Sequence, residues 1–466
     1  MKKQLFLLTI ICACFVLACK KDKFIETSDA RLNTSVDSLH FDTVFTSVGS
    51  VTQFFKVYND NNQKLRISSV KLAGGPASVF RINADGIPGP EVRDIEVDAN
   101  DSMYVFVSVS INPSAANLPF VMQDSISITY NGNTTWVQLD AWGQNANFLR
   151  NAKLTGSVTW NNILPYVILG GIQIDTPATL TIQKGTKIYL HADAPFIVDG
   201  TLIVQGEKYD STRVIFSGDR LDNPYREFPA SWPGIYFRGN SKNNQLTYAV
   251  IKNAFQGIVS EKPSINANPK VLLDQCIIDN IYDVGLLGIQ SSITANNCLI
   301  SNCGMNVIFA HGGDYNLTHC TVSTYSNSFL LHKEPILQIS NFIKENNTVL
   351  TANLNASFRN CIFWGESGSV DDEVVVGKQG STVFNVSFTN CLWRVKTNPA
   401  NATLTSIIAN MDPEFDSIDI AKKFYSFRLK PTSPAINKGV ATSLTVDLDG
   451  NPRAVGLPDL GAYEKQ

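Results

Sequence analysis

The chain has 466 residues, 44% of them hydrophobic and 17% charged, and its 38 basic and 41 acidic side chains give a formal charge of −3. The two signs are evenly mixed with no basic stripe, which argues against nucleic acid as a partner. The length allows two or three domains, and past the first 19 residues no apolar run reaches the roughly 20 residues a membrane helix needs.

Met1-Lys2-Lys3 leads into an apolar run from Leu5 to Leu17, followed by Ala18-Cys19. A basic start, a short apolar core and a small residue before the cut describe a secretory signal over residues 1–18. Val16-Leu17-Ala18-Cys19 resembles a bacterial lipobox, although Leu17 is bulkier than the usual residue there. The resemblance implies lipidation of Cys19, and acyl chains would hold the protein to a membrane at about 0.8 kcal/mol per buried methylene. The alternative is an ordinary cleaved signal with an incidental cysteine. Lys20-Lys21-Asp22-Lys23 resembles the short charged signals that send lipoproteins of the Bacteroidetes group to the cell surface. The expected location is therefore the outer membrane or cell surface, with the periplasm-facing leaflet as the other choice. Residues 19–37 read as a tether.

From Ser38 to Asn145 apolar and polar residues alternate in short runs, among them Phe54–Tyr58, Met103–Ile111 and Ser125–Tyr130. Asn131-Gly132 marks a hairpin before Trp136–Asp140. This pattern predicts an antiparallel β-sandwich of about seven strands. The runs Phe55-Lys-Val-Tyr-Asn59, Asp94-Ile-Glu-Val-Asp98 and Leu139-Asp-Ala-Trp-Gly143 resemble the immunoglobulin-like domains of abnormal-spindle and Hydin proteins, which implies a spacer.

Residues 146–410 carry a repeat. Cys276, Cys298 and Cys320 lie 22 residues apart, and Cys361 and Cys391 follow at wider intervals. Three positions before each cysteine stands Leu273, Ala295, Leu317, Phe358 or Phe388, and two positions after it Ile278, Ile300, Val322, Phe363 or Trp393. An earlier copy has Ala249 in place of the cysteine. Repeats of 20–25 residues with period-2 apolar positions indicate a solenoid, and three short strands with three bends account for one coil. Cysteine would form an inward column, kept as reduced thiols, with Cys303 outside the column the one candidate for oxidation. Asn253, Asn280 and Asn302 fit a sharp bend with left-handed backbone angles. The stretch resembles right-handed parallel β-helix proteins of the pectin-lyase-like superfamily, which holds lyases, hydrolases and non-catalytic binders. The 41-residue gap from Cys320 to Cys361 reads as two coils, the 30-residue gap to Cys391 as one coil with a loop at Glu366–Gly380, and Asp219–Pro233 as an extruded loop. The expected fold class is all-β: a sandwich, a right-handed parallel β-helix and a C-terminal cap.

That cap is the tail, residues 411–466, whose Asp412-Pro-Glu-Phe415, Asp447-Leu-Asp-Gly-Asn-Pro-Arg453 and Pro458–Glu464 resemble the carboxyl ends of secreted β-helix proteins. It is expected to cover the open solenoid end. Asp447 and Asp449 lack the distant bidentate glutamate of a calcium loop, so this segment reads as a turn, and no metal or cofactor is expected.

Chemistry on a solenoid sits on outward faces and loops. His311 and His332 are 21 residues apart, close to one coil, so they are expected near the same turn with Asp314 and Lys333 beside them. A histidine or lysine abstracting the proton next to a uronic-acid carboxylate would make a lyase; two carboxylates across a groove would make a hydrolase. Trp232, Tyr236 and Trp364 are candidates for stacking on sugar rings, and Asp371-Asp372-Glu373 reads as a solvated loop. The favoured function is display of an elongated face that binds a glycan or another extracellular polymer. The alternatives are a polysaccharide lyase or hydrolase, and a non-catalytic adhesin or structural protein.

Overall fold

The computed structural model describes residues 23–45, 52–111, 120–346, 348–366, 368, 370–453 and 456–466. The signal segment, Cys19 and the start of the tether lie outside them. The chain divides into two compact units between Asn145 and Ala146, and no described helix is long and apolar enough to cross a membrane.

Among its described residues the first unit is a β-sandwich of ten strands rather than seven: β1 (Leu32–Thr34), β2 (Ser38–Phe45), β3 (Gln53–Asn59), β4 (Leu65–Leu72), β5 (Phe80–Ala84), β6 (Ile87–Pro88), β7 (Glu91–Val97), β8 (Ser102–Val109), β9 (Phe120–Tyr130) and β10 (Asn133–Gln144). One sheet runs β1-β3-β8-β5-β6 and the other β2-β10-β9-β4-β7. All strand pairs are antiparallel except β2 with β10, which is parallel. Alternation sends Phe55, Val57, Val105, Val107, Ile126, Ile128, Val137 and Leu139 inward, where they are buried together. Asn131 and Gly132 take φ of 41° and 82° between β9 and β10, the geometry a two-residue hairpin requires. The expected tether is shorter than 19–37. Phe24 bridges to Lys64, β1 pairs with β3, and Ala30 and Leu32 are buried, because their i, i+2 spacing supplies the inward face of one more strand.

The second unit winds 26 strands from Asn147 to Ala409 into one sheet whose strands pair in parallel with those a coil away. This is a parallel β-helix. The register aligns Leu246, Leu273, Ala295, Leu317, Phe358 and Phe388 in one column. A second column holds Ile251, Ile278, Ile300, Val322, Phe363 and Trp393. Both are buried. Each column thiol points at the backbone oxygen of the first column one coil earlier: Cys276 at Leu246, Cys298 at Leu273, Cys320 at Ala295, Cys361 at Leu317 and Cys391 at Phe358, over 3.2–3.6 Å. All six cysteines from Cys276 to Cys391 are free and buried, Cys303 included. Burial pushes the thiols of Cys298, Cys303 and Cys361 up.

The bends explain the rest of the repeat. Asn253, Asn280 and Asn302 have φ of 62°, 56° and 50°, and the Asn280 side chain donates to Asn253 Oδ1 at 2.8 Å. A second bend lies immediately before each column cysteine, where Gln275, Asn297, His319, Asn360 and Asn390 all have φ between 50° and 55°. His319, fully buried in this row, is bonded by Asn360 across 2.9 Å, and burial pulls its imidazole down to about 3.

Two spacings are corrected. Thr321 pairs directly with Ile362, so Cys320 and Cys361 stand in adjacent coils. The 41 residues make one coil enlarged by the segment 325–336 and by the hairpin of Phe342–Glu345 with Thr348–Thr351. Val374–Gly377 is a coil strand paired with Leu337–Ser340, so the loop expected over 366–380 ends before it.

The tail does not simply close the end. Phe415, Phe427, Leu429, Leu448, Leu460 and Tyr463 are buried against Leu299, Ile362, Trp364 and Leu392, which point outward from their coils. Arg453 donates to Asn297 Oδ1 at 2.8 and 3.0 Å, and Arg213 donates to Leu448 O at 2.9 Å. The tail therefore runs along a flank of the solenoid, because outward positions there are apolar and need a cover.

Candidate functional site

The expected catalytic group does not assemble. Val307 pairs with Leu337 and Phe309 with Ile339, so His311 follows one end of this strand pair while His332 precedes the other. His311 is half-buried at a bend with φ of 57°, Lys333 is exposed, and exposed Asp314 accepts from Asn355 at 2.8 Å. His332 is buried and bonds Glu373 Oε1 at 2.8 Å, with Arg394 reaching the same oxygen at 3.3 Å. Glu373 is itself fully buried, which corrects the reading of Asp371-Asp372-Glu373 as a uniformly solvated loop. A histidine sealed into this buried cluster cannot reach a polymer.

The stacking candidates are also displaced. Trp232 lies in the solenoid core with its indole N–H on Lys252 O at 2.9 Å. Trp364 does point out of its coil, yet the tail covers it. Tyr236 is half-buried and donates to Pro233 O at 3.0 Å. In the Asp447 turn, the carboxylate accepts the backbone N–H groups of Asp449, Asn451 and Glu464 at 2.7–2.9 Å, so its oxygens serve the turn.

What the fold does assemble is a cleft of about 380 Å³ between the flank and the tail hairpin formed by Phe415–Asp419 and Phe424–Leu429. A smaller cavity of about 70 Å³ continues it and shares Asp279, Asn302, Lys423 and Tyr425. Asp279 closes the coil strand Ile277–Asp279, with its side chain on the outward face. Its Oδ1 accepts from Ser301 Oγ at 2.7 Å and Asn302 Nδ2 at 3.1 Å, while burial raises the carboxyl above the usual range. Opposite stands Tyr425, whose buried hydroxyl makes no hydrogen bond within ordinary geometry. Burial, and after it the carboxylates of Asp279 and Glu366, raise this phenol. Lys423 lies 4.2 Å over the Phe329 ring.

The other end of the cleft is held more tightly. Arg428 grips Asp449 with contacts of 2.7 and 2.8 Å and lies 4.9 Å over Tyr463. Arg213, buried against the tail, is 3.9 Å from exposed Asp210. The lining thus has three acids (Asp210, Asp279, Asp449), three bases (Arg213, Lys423, Arg428) and the rings of Phe424, Tyr425, Phe427 and Tyr463. Asp449 is paired with Arg428. This arrangement suits hydrogen bonding to an uncharged ligand better than double-carboxylate hydrolysis.

Sequence reasoning did not single out Asp279 and read the tail as a cover alone. The usable signal was Asp279 itself, an acid at an outward position next to a bend that recurs in the repeat at Asn253, Asn280 and Asn302. Lys270 carried no sequence signal. It is fully buried, and its ammonium donates to the backbone oxygens of Glu261, Gly239 and Arg238 at 2.6, 3.2 and 3.4 Å; burial pulls it down to about 8.

No family model matches the chain, and no curated protein matches it in sequence. Among solved structures, it is similar to a family 123 glycoside hydrolase from Clostridium perfringens, at 7% identity and a TM-score of 0.19, over 25% of this chain and 26% of that one. An ASH/PapD-like domain of human CEP192 matches at 8% identity and a TM-score of 0.17, over 27% of this chain and 92% of that domain. A protein of unknown function from Porphyromonas gingivalis W83 matches at 12% and 0.19, over 27% and 60%. Likenesses this slight carry nothing about what the chain binds.

Proposed function

We propose that the flank cleft binds a segment of an uncharged glycan, and that the protein works as a binder rather than a depolymerase. The observation behind this reading is the lining: charge-balanced acids and bases beside four aromatic rings. A sugar offers ring hydroxyls to the first and apolar faces to the second. On the lipobox reading of Cys19, the cleft would be displayed outside the cell by a membrane-anchored protein.

The test is titration calorimetry with neutral and acidic oligosaccharides, comparing the protein with Asp279→Asn and Phe424→Ala. Binding of a neutral oligosaccharide that weakens at least tenfold in either variant supports the proposal. Binding indifferent to both substitutions rejects the cleft. The raised carboxyl of Asp279 favours one second reading, a general acid in a hydrolase. Appearance of reducing ends from a polysaccharide, abolished by Asp279→Asn, would establish that reading instead.

A further inference from the structure

The sandwich carries a surface that a spacer does not need. Trp136 and Trp142 both stand on the outer face of β10, 49% and 50% exposed. Six residue steps along the strand take one to the other, or about 20 Å at roughly 3.4 Å per residue. The positions between them on that face are polar. Gln138 pairs across the strands with Ser38 and Ser125, and Asp140 with His40 and Gln123. Asp140 is bonded by His40 Nδ1 at 2.5 Å, and His40 Nε2 lies 3.1 Å from Ser38 Oγ.

The serine, histidine and aspartate have the order of a nucleophile relay. The His40 side chain is 68% exposed, however, and acyl transfer needs a site that excludes water. The three residues are better suited to presenting hydrogen-bonding groups. Nor is the face suited to a protein partner, which would cover about 1,200 Å² or more around a contiguous apolar centre. Here a polar row divides the two indoles. The carboxylate in that row is paired with an imidazole, so a polyanion finds no cationic track.

We propose that the outer face of β10 is a glycan-binding surface, distinct from the flank cleft, which takes a linear uncharged polysaccharide along the strand with sugar rings stacked on Trp136 and Trp142. Sugar faces would meet the two indoles and hydroxyls would meet Gln138, Asp140 and their neighbours. The occupant follows from this face alone and does not depend on the cleft's ligand.

The tryptophans themselves report the outcome. The remaining four, Trp160, Trp232, Trp364 and Trp393, are buried, so iodide quenching of the folded protein reads Trp136 and Trp142. The full chain is titrated with disaccharides and hexasaccharides of β-1,4-glucan, β-1,3-glucan, xylan and mannan. A hexasaccharide should protect against quenching at concentrations at least tenfold below its disaccharide. Trp136→Ala and Trp142→Ala should each abolish that length dependence without changing the melting temperature. Phe424→Ala in the cleft should leave it intact, which separates failure of this surface from failure of the cleft. Absence of protection by every oligosaccharide, or equal protection by both lengths, overturns the proposal.

Discussion

Replacing Lys270 with methionine isolates what a buried ammonium does for the solenoid. Methionine retains most of the apolar stem and removes the donor that three backbone oxygens share. Arg238 O still accepts from Ser241 N at 3.0 Å, so the loss falls on Gly239 and Glu261. At about 1–3 kcal/mol for each buried acceptor left without that donor, the cost for the two is roughly 2–6 kcal/mol. The pH dependence tests the cause. Folding lowers this lysine from 10.5 to about 8, so between those values the unfolded chain holds a proton that the folded chain lacks. Stability contributed by Lys270 must therefore rise with pH across this window, by at most about 3 kcal/mol. The oxygen acceptors favour the charged form and reduce that figure. Urea unfolding of both proteins at pH 7 and pH 10, followed by tryptophan fluorescence, cancels the titration of other groups. The wild-type advantage should be about 2–6 kcal/mol at pH 7 and larger at pH 10. Equal stability at pH 7 would show that the oxygen cage contributes nothing, and an advantage that shrinks with pH would refute the dominance of burial.

The six cysteines from 276 to 391 are buried and free, so they should resist an aromatic disulfide reagent in the native protein and react in guanidinium, with no change after prior reduction. Early reaction of Cys303 would contradict its burial. Glu373→Ala strips His332 and Arg394 of their shared carboxylate and should destabilise by about 3–5 kcal/mol in urea titration. His311→Ala, at a half-buried bend, should change stability far less; similar losses would mean the two histidines share an environment after all.

The solenoid was legible because its residues recur. Stacked coils place chemically equivalent side chains in columns, so the apolar positions flanking Cys276 to Cys391 could be aligned from spacing alone. The bend before each cysteine was harder to see, since Gln275, Asn297, His319, Asn360 and Asn390 share a backbone angle more than a chemistry. His311 and His332 were paired on a 21-residue spacing, but the insertion over 325–336 breaks the register between them. Glu373 looked solvated beside Asp371 and Asp372, and only the folded chain shows His332 and Arg394 closing on it. Trp364 points out of its coil, but what the local pattern could not contain was the tail, distant in sequence, that covers it.

The same contrast explains where the cleft lies. Identical coils would build a smooth flank, so a concave site needs departures from the repeat that meet one another. Three do. The loop Asp219–Pro233 is held by Asn280, whose side chain donates to Glu227 O at 3.0 Å. Phe228 of that loop packs on Phe329 of the 325–336 insertion at 4.9 Å, and Lys423 of the tail hairpin covers the same ring. Beneath them, one outward column runs from Asp279 through Ser301 and Ser323 to Trp364. At its polar end the tail stands off and leaves the cleft; at Trp364 it packs down and seals. A single column changing from acid to indole thus decides where the cover opens, which is why Asp279 rather than any histidine is the residue on which a ligand at this flank would depend.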